Sequence, residues 1–113
     1  MKHVLIVDDD PEVRRAVRRG LQRRGYKVAE AIDGSHGLST IQEQGPFDAV
    51  LSDMDMPKKD GLEMWRQLCL SGDPHAERLI FHTTNAERVA TITVPVVSAK
   101  GSLDAIEAVI GQL

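Results

Sequence analysis

Val4-Leu5-Ile6-Val7 is a run of four apolar residues, closed at once by Asp8-Asp9-Asp10. It lacks the polar alternation of a half-buried strand, so a strand built from it must be covered on both faces. A parallel sheet with helices on either side meets that demand. The residues that follow read as a helix start. Asp10 suits the N-cap, Pro11 the first helical position and Glu12 the first turn. Val13, Ala16, Val17 and Leu21 recur at helical spacing and form the expected buried face. Arg14, Arg15, Arg18, Arg19, Arg23 and Arg24 take the other face, which reads as a solvated surface rather than a docking patch, and Gly25 suits the C-terminal cap.

The same alternation continues along the chain. Tyr26 to Ala31 predicts a second strand near an edge, and Asp33-Gly34 opens a helix that carries Leu38 and Ile41 and closes at Gly45-Pro46. Ala49 to Ser52 is the third strand. Gly61 to Leu70 is a third helix with Leu62, Trp65, Leu68 and Cys69 on one side, which places Trp65 and Cys69 in or beside the core. Leu79 to Thr83 is the fourth strand, with His82 as a half-buried packing residue. A weak helical stretch lies around Ala86 to Ala90. Val94 to Val97 is a fifth strand, held to an edge by Pro95. Ser102 caps a last helix with Leu103, Ile106 and Ile110 inward. The result is an α/β chain with a five-stranded parallel sheet and helices on both faces. Its 113 residues suit one domain over 1–113.

Composition narrows the function. Aromatics are 4% of the chain, so the core is built from Val, Ile, Leu, Ala and Met. A net charge of −3 makes no overall electrostatic case for nucleic acid. No apolar run is long enough to span a bilayer. Cys69 is the single cysteine, which excludes an internal disulfide and points to a reducing, cytoplasmic setting. His3, His36, His75 and His82 show no metal-ligand spacing. No glycine-rich phosphate loop follows any strand.

In open parallel sheets the functional site lies beyond the carboxyl ends of the strands. There this chain places Asp8, Asp9 and Asp10 after the first strand, Asp53 and Asp55 after the third, Thr83 at the end of the fourth, and Lys100 after the fifth. Carboxylates gathered at one edge repel each other unless a cation sits among them. An all-oxygen set suits Mg²⁺. A carboxylate nucleophile with a metal, a hydroxyl and an ammonium describes an acceptor site for a phosphoryl group. Asp10 is also explained simply as a helix cap.

Two segments carry a family resemblance. Val4-Leu5-Ile6-Val7-Asp8-Asp9-Asp10 and Val50-Leu51-Ser52-Asp53-Met54-Asp55-Met56-Pro57-Lys58-Lys59-Asp60-Gly61 strongly resemble the receiver domain of two-component response regulators. The resemblance covers the whole chain and is specific in the first three strand-helix units. It implies a flavodoxin-like, doubly wound sheet of order 2-1-3-4-5, as in chemotaxis receivers. It implies Asp53 as the phosphoryl acceptor, served by a sensor histidine kinase or a histidine phosphotransfer protein. Asp8 and Asp9 would bind Mg²⁺, Asp55 would offer its backbone carbonyl, and Thr83 and a lysine after strand five would meet the phosphoryl oxygens. Such a domain is a signalling phosphoacceptor rather than a turnover enzyme. It acts on a downstream protein as a monomer or weak homodimer, without direct contact to nucleic acid or membrane.

The last third departs from the family. Ser98-Ala99-Lys100-Gly101 stands where a Lys-Pro pair is usual, with Lys100 one residue late. Sixteen residues separate Thr83 from Lys100, so the helix between them is expected to be short, distorted or absent. Val97 occupies the position of the family's switch aromatic, and Thr84 that of a smaller residue. These departures keep a second reading open, a pseudo-receiver that binds a partner without being phosphorylated. Asp53-Met54-Asp55 also resembles the motif of haloacid dehalogenase-type phosphohydrolases, but there it follows the first strand and here the third.

Overall fold

The computed structural model describes residues 2–53, 56, 59–83, 96–98 and 103–111. Five strands form one parallel sheet: β1 His3–Val7, β2 Lys27–Ala31, β3 Ala49–Ser52, β4 Leu79–Thr83 and β5 Val96–Ser98. Their order is β2-β1-β3-β4-β5, the doubly wound order the resemblance implies. β2 and β5 are the edges, as expected for both. Among the described residues, four α-helices accompany them: α1 Pro11–Arg23, α2 Gly34–Gln44, α3 Gly61–Leu70 and α4 Leu103–Ile110. A short 3₁₀ turn, Pro74–Arg78, leads into β4 and was not anticipated from the sequence. The expectation of a short, distorted or absent helix between β4 and β5 falls on residues outside the described set.

The apolar strands divide the core in two. Leu5, Val7, Val50, Leu79 and Phe81 point to one face, where Ile41 of α2 and Met64 and Leu68 of α3 cover them. Val4, Ile6, Ala49, Leu51 and Ile80 point to the other, under Val17 and Leu21 of α1 and Ile106 and Ile110 of α4. Alternate residues of one strand thus enter separate cores, which is why the apolar runs are continuous.

The helix ends follow their sequence signals. Asp10, Asp33 and Asp60 cap α1, α2 and α3, each accepting backbone N–H bonds from the first turn. Gly25 follows the C-cap of α1 with φ of +91°, a conformation that favours glycine. Two helix faces differ from expectation. Ala16 is exposed, because the stripe of α1 that meets the sheet runs through Val13, Val17, Gly20 and Leu21. Cys69 is exposed too, whereas Leu62 and Trp65 are half-buried and pack against the core, as expected of Trp65. The buried stripe of α3 is Gly61, Met64 and Leu68, and Cys69 lies about 100° past Leu68 around the helix. His82 is buried rather than half-buried, since β4 is an interior strand.

Candidate phosphoacceptor site

Adjacency of β1 and β3 creates the site. Val7 pairs with Ser52, so the next residue of each strand, Asp8 and Asp53, leaves the sheet side by side. The Asp53 amide donates to the Val7 carbonyl at 2.9 Å, and the Asp8 amide donates to the Ala31 carbonyl of β2 at 3.1 Å. One carboxylate oxygen each from Asp8, Asp9 and Asp53 lies within 4.8 Å of the others. Asp8 is buried, Asp53 half-buried and Asp9 exposed.

Local bonds hold these groups in place. The Asp10 amide donates to Asp8 Oδ1 at 2.9 Å, so the acidic run is folded back on itself before α1 begins. Ser52 Oγ donates to the Asp53 carbonyl at 2.8 Å. Gly61, the first residue of α3, lies directly against that carbonyl and 2.8 Å from Ser52 Oγ by the position a Cβ would take. A methyl group there would collide with the backbone under Asp53. Arg14 Nη1 donates to the Asp8 carbonyl at 2.7 Å, and Arg14 Nε pairs with Glu30 at 3.4 Å.

Electrostatics at the cluster are unfavourable without a cation. The Asp8 carboxyl is pushed up to about 6, chiefly by burial and further by the charges of Asp53, Asp9 and Asp10, against the opposing bond from the Asp10 amide. The donors are all oxygens, one of them buried and bonded, with an exposed neighbour that leaves room for water. That set fits a small hard divalent cation such as Mg²⁺ and not a softer metal.

The structure thus brings together Asp8, Asp9 and Asp53 of the residues singled out from sequence. Asp10 serves as the cap of α1. Thr83 ends β4, two residues beyond Phe81, which pairs with Ser52, the residue before Asp53. Asp55 and Lys100 lie outside the described residues. Arg14, Glu30, Ser52 and Gly61 shape the site and were not recognised as doing so in the sequence. Arg14 is one of six similar arginines, and only its packing distinguishes it.

Comparison with known proteins agrees with this geometry. Residues 4–107 match the family described as the response regulator receiver domain. Response regulator MprA of Mycolicibacterium vanbaalenii is 49% identical over 70 residues, 62% of this chain and 30% of that protein. The Mycobacterium avium protein of the same name is 47% identical over the same length and shares. The matched stretch therefore spans under a third of these relatives. Among solved structures, response regulator TrrA of Thermotoga maritima, crystallised with Mg(2+)-BeF, superposes with a TM-score of 0.87 at 24% identity, covering 99% of this chain and 98% of that one. A Vibrio cholerae chemotaxis protein superposes with a TM-score of 0.84 at 25% identity and the same coverage of both chains.

Proposed function

The chain belongs to the response regulator receiver domain family, the phosphoacceptor signalling domains of two-component systems, and we propose that Asp53 is its phosphoryl acceptor. The observation that carries this is the convergence of the Asp8, Asp9 and Asp53 carboxylates within 4.8 Å at the ends of two adjacent parallel strands. The donor is a phosphohistidine on a sensor histidine kinase or a phosphotransfer protein. An Asp53 carboxylate oxygen attacks the phosphorus in line, the new P–O bond forms as the P–N bond breaks, and the imidazole leaves.

Asp8, Asp9 and Asp53, with the backbone carbonyl of Asp55, would hold Mg²⁺. When bound, the ion neutralises charge on the carboxylates and on the phosphoryl oxygens. Burial of Asp8 and its bond from the Asp10 amide keep that carboxylate oriented. Half-burial of Asp53 leaves it open to a donor while β3 fixes its direction. The Thr83 hydroxyl and the Lys100 ammonium would each meet one phosphoryl oxygen. In this reading residues 1–113 act as a single receiver unit. The domain is not a turnover enzyme, and its phosphorylation state alters binding to a downstream protein.

Phos-tag electrophoresis after incubation with acetyl phosphate and Mg²⁺ tests the assignment. A shifted band is expected for the wild type and none for Asp53→Asn. Absence of a shift in the wild type, with a standard receiver shifting alongside, would leave the phosphorylation-independent interaction module as the surviving reading.

A further inference from the structure

Arg14 stands apart from the other arginines of α1 in what it touches. Its guanidinium reaches over the end of β1 and donates to the Asp8 backbone carbonyl at 2.7 Å. The same guanidinium pairs with Glu30 of β2, which Arg18 also holds at 2.8 Å. The Arg14 side chain is only 17% exposed although it is charged and lies on a surface helix. Glu30 sits opposite Ile6 in the sheet register, two residues before Asp8.

The Asp8 carbonyl is the first of β1 beyond the paired register, where its orientation needs another donor. Arg14 supplies it. The peptide plane between Asp8 and Asp9 is then held at its carbonyl by α1, while the Asp8 amide is held by Ala31. Rotation of that plane would swing Asp9 and carry the Asp10 amide away from Asp8 Oδ1. From these contacts we infer that Arg14, anchored by Glu30, is a positioning residue that sets the geometry of the Asp8–Asp9 carboxylates for a divalent cation. The inference rests on the phosphoacceptor reading of the site.

The sign of its effect separates this role from simple electrostatics. A cation beside a metal site repels the metal, so loss of Arg14 would tighten Mg²⁺ binding if charge were its contribution. Loss of a group that orients the ligands weakens binding, typically ten- to a hundredfold for partners behind the metal ligands.

Mg²⁺ titrations of ¹⁵N-labelled wild type, Arg14→Met, Arg14→Lys and Glu30→Gln, with melting curves for each, make the test. Arg14→Met is expected to bind Mg²⁺ about tenfold more weakly. Arg14→Lys should fall between, because an ammonium lacks the fork that serves two acceptors. Glu30→Gln should weaken binding while leaving the Arg14 charge in place. In the metal-free Arg14→Met protein the Asp10 amide resonance should move while that of Leu51 stays, a signature that general loss of stability would not produce. If Arg14→Met does not fold, Arg14→Lys, which keeps the charge, carries the test. Unchanged or tighter Mg²⁺ binding in the folded variants overturns the inference and leaves the phosphoacceptor reading standing. A wild type that binds no Mg²⁺ overturns both.

Discussion

Asp8 concentrates the conflict in this site. A carboxyl with a folded pKa raised from 3.8 to about 6 favours the folded state when protonated. Its stabilising contribution is complete below the unfolded value and is lost as pH rises through the folded value. At neutral pH the metal-free protein therefore holds a charge that its fold resists. Asp8→Asn is expected to raise the metal-free urea midpoint at pH 7.5 and to leave it nearly unchanged at pH 4. Equal midpoints for the two proteins at pH 7.5 would show that Asp8 is not disfavoured. His75 poses a different residue-scale question. It is buried, its Nε2 accepts the Phe47 amide at 2.9 Å, and its Nδ1 faces Asp73 at 2.7 Å. His75→Phe keeps the ring but leaves the Phe47 amide without its acceptor, so a loss of about 1–3 kcal/mol is expected in urea unfolding.

Among the elements, β3 and α3 are the pair on which Asp53 depends. β3 delivers the carboxylate, and the start of α3 lies against the carbonyl behind it through Gly61. Gly61→Ala forces either α3 or the end of β3 to move, at about 1–3 kcal/mol for an overpacked position. It is also expected to slow acetyl phosphate labelling of Asp53 more than Leu70→Ala, a change at an 88% exposed position of the same helix. Equal labelling rates would show that the helix start does not control the acceptor. α4 is tied differently. Arg24 bridges to Asp104 at 2.9 Å and Glu107 at 2.7 Å, and Leu103 packs over Gly20. The ion pairs are at the surface and contribute little compared with burial of Ile106 and Ile110.

For the whole molecule, the sheet separates stability from chemistry. Both apolar layers lie beneath the strand ends, and the carboxylates crowd beyond them. A cation bound there stabilises the folded state alone. Mg²⁺ at a hundredfold excess over its Kd is expected to add about 2.7 kcal/mol to wild-type unfolding and nearly nothing to Asp8→Asn. A matching gain in that variant would place the ion elsewhere. Among the described residues, no helix is long and apolar enough to cross a membrane.

What the chain order alone determined was the alternation of elements and the acidic ends of two of them. Continuous apolar runs imply strands covered on both faces, and the Asp caps mark where each helix starts, because both are local effects of burial and hydrogen bonding. The rule that a site lies beyond the carboxyl ends of parallel strands pointed to Asp8, Asp9 and Asp53, and the family resemblance implied their roles. Tertiary structure alone decided the rest. Cys69 and Ala16 are exposed because helix rotation is set by the partner surface, not by the presence of an apolar side chain. His75 looked unremarkable until Phe47 was brought to it from 28 positions away. Arg14 was one cation among six until β2 placed Glu30 beside it. A side chain's partner depends on what the fold sets within reach, and spacing along the chain does not carry that information.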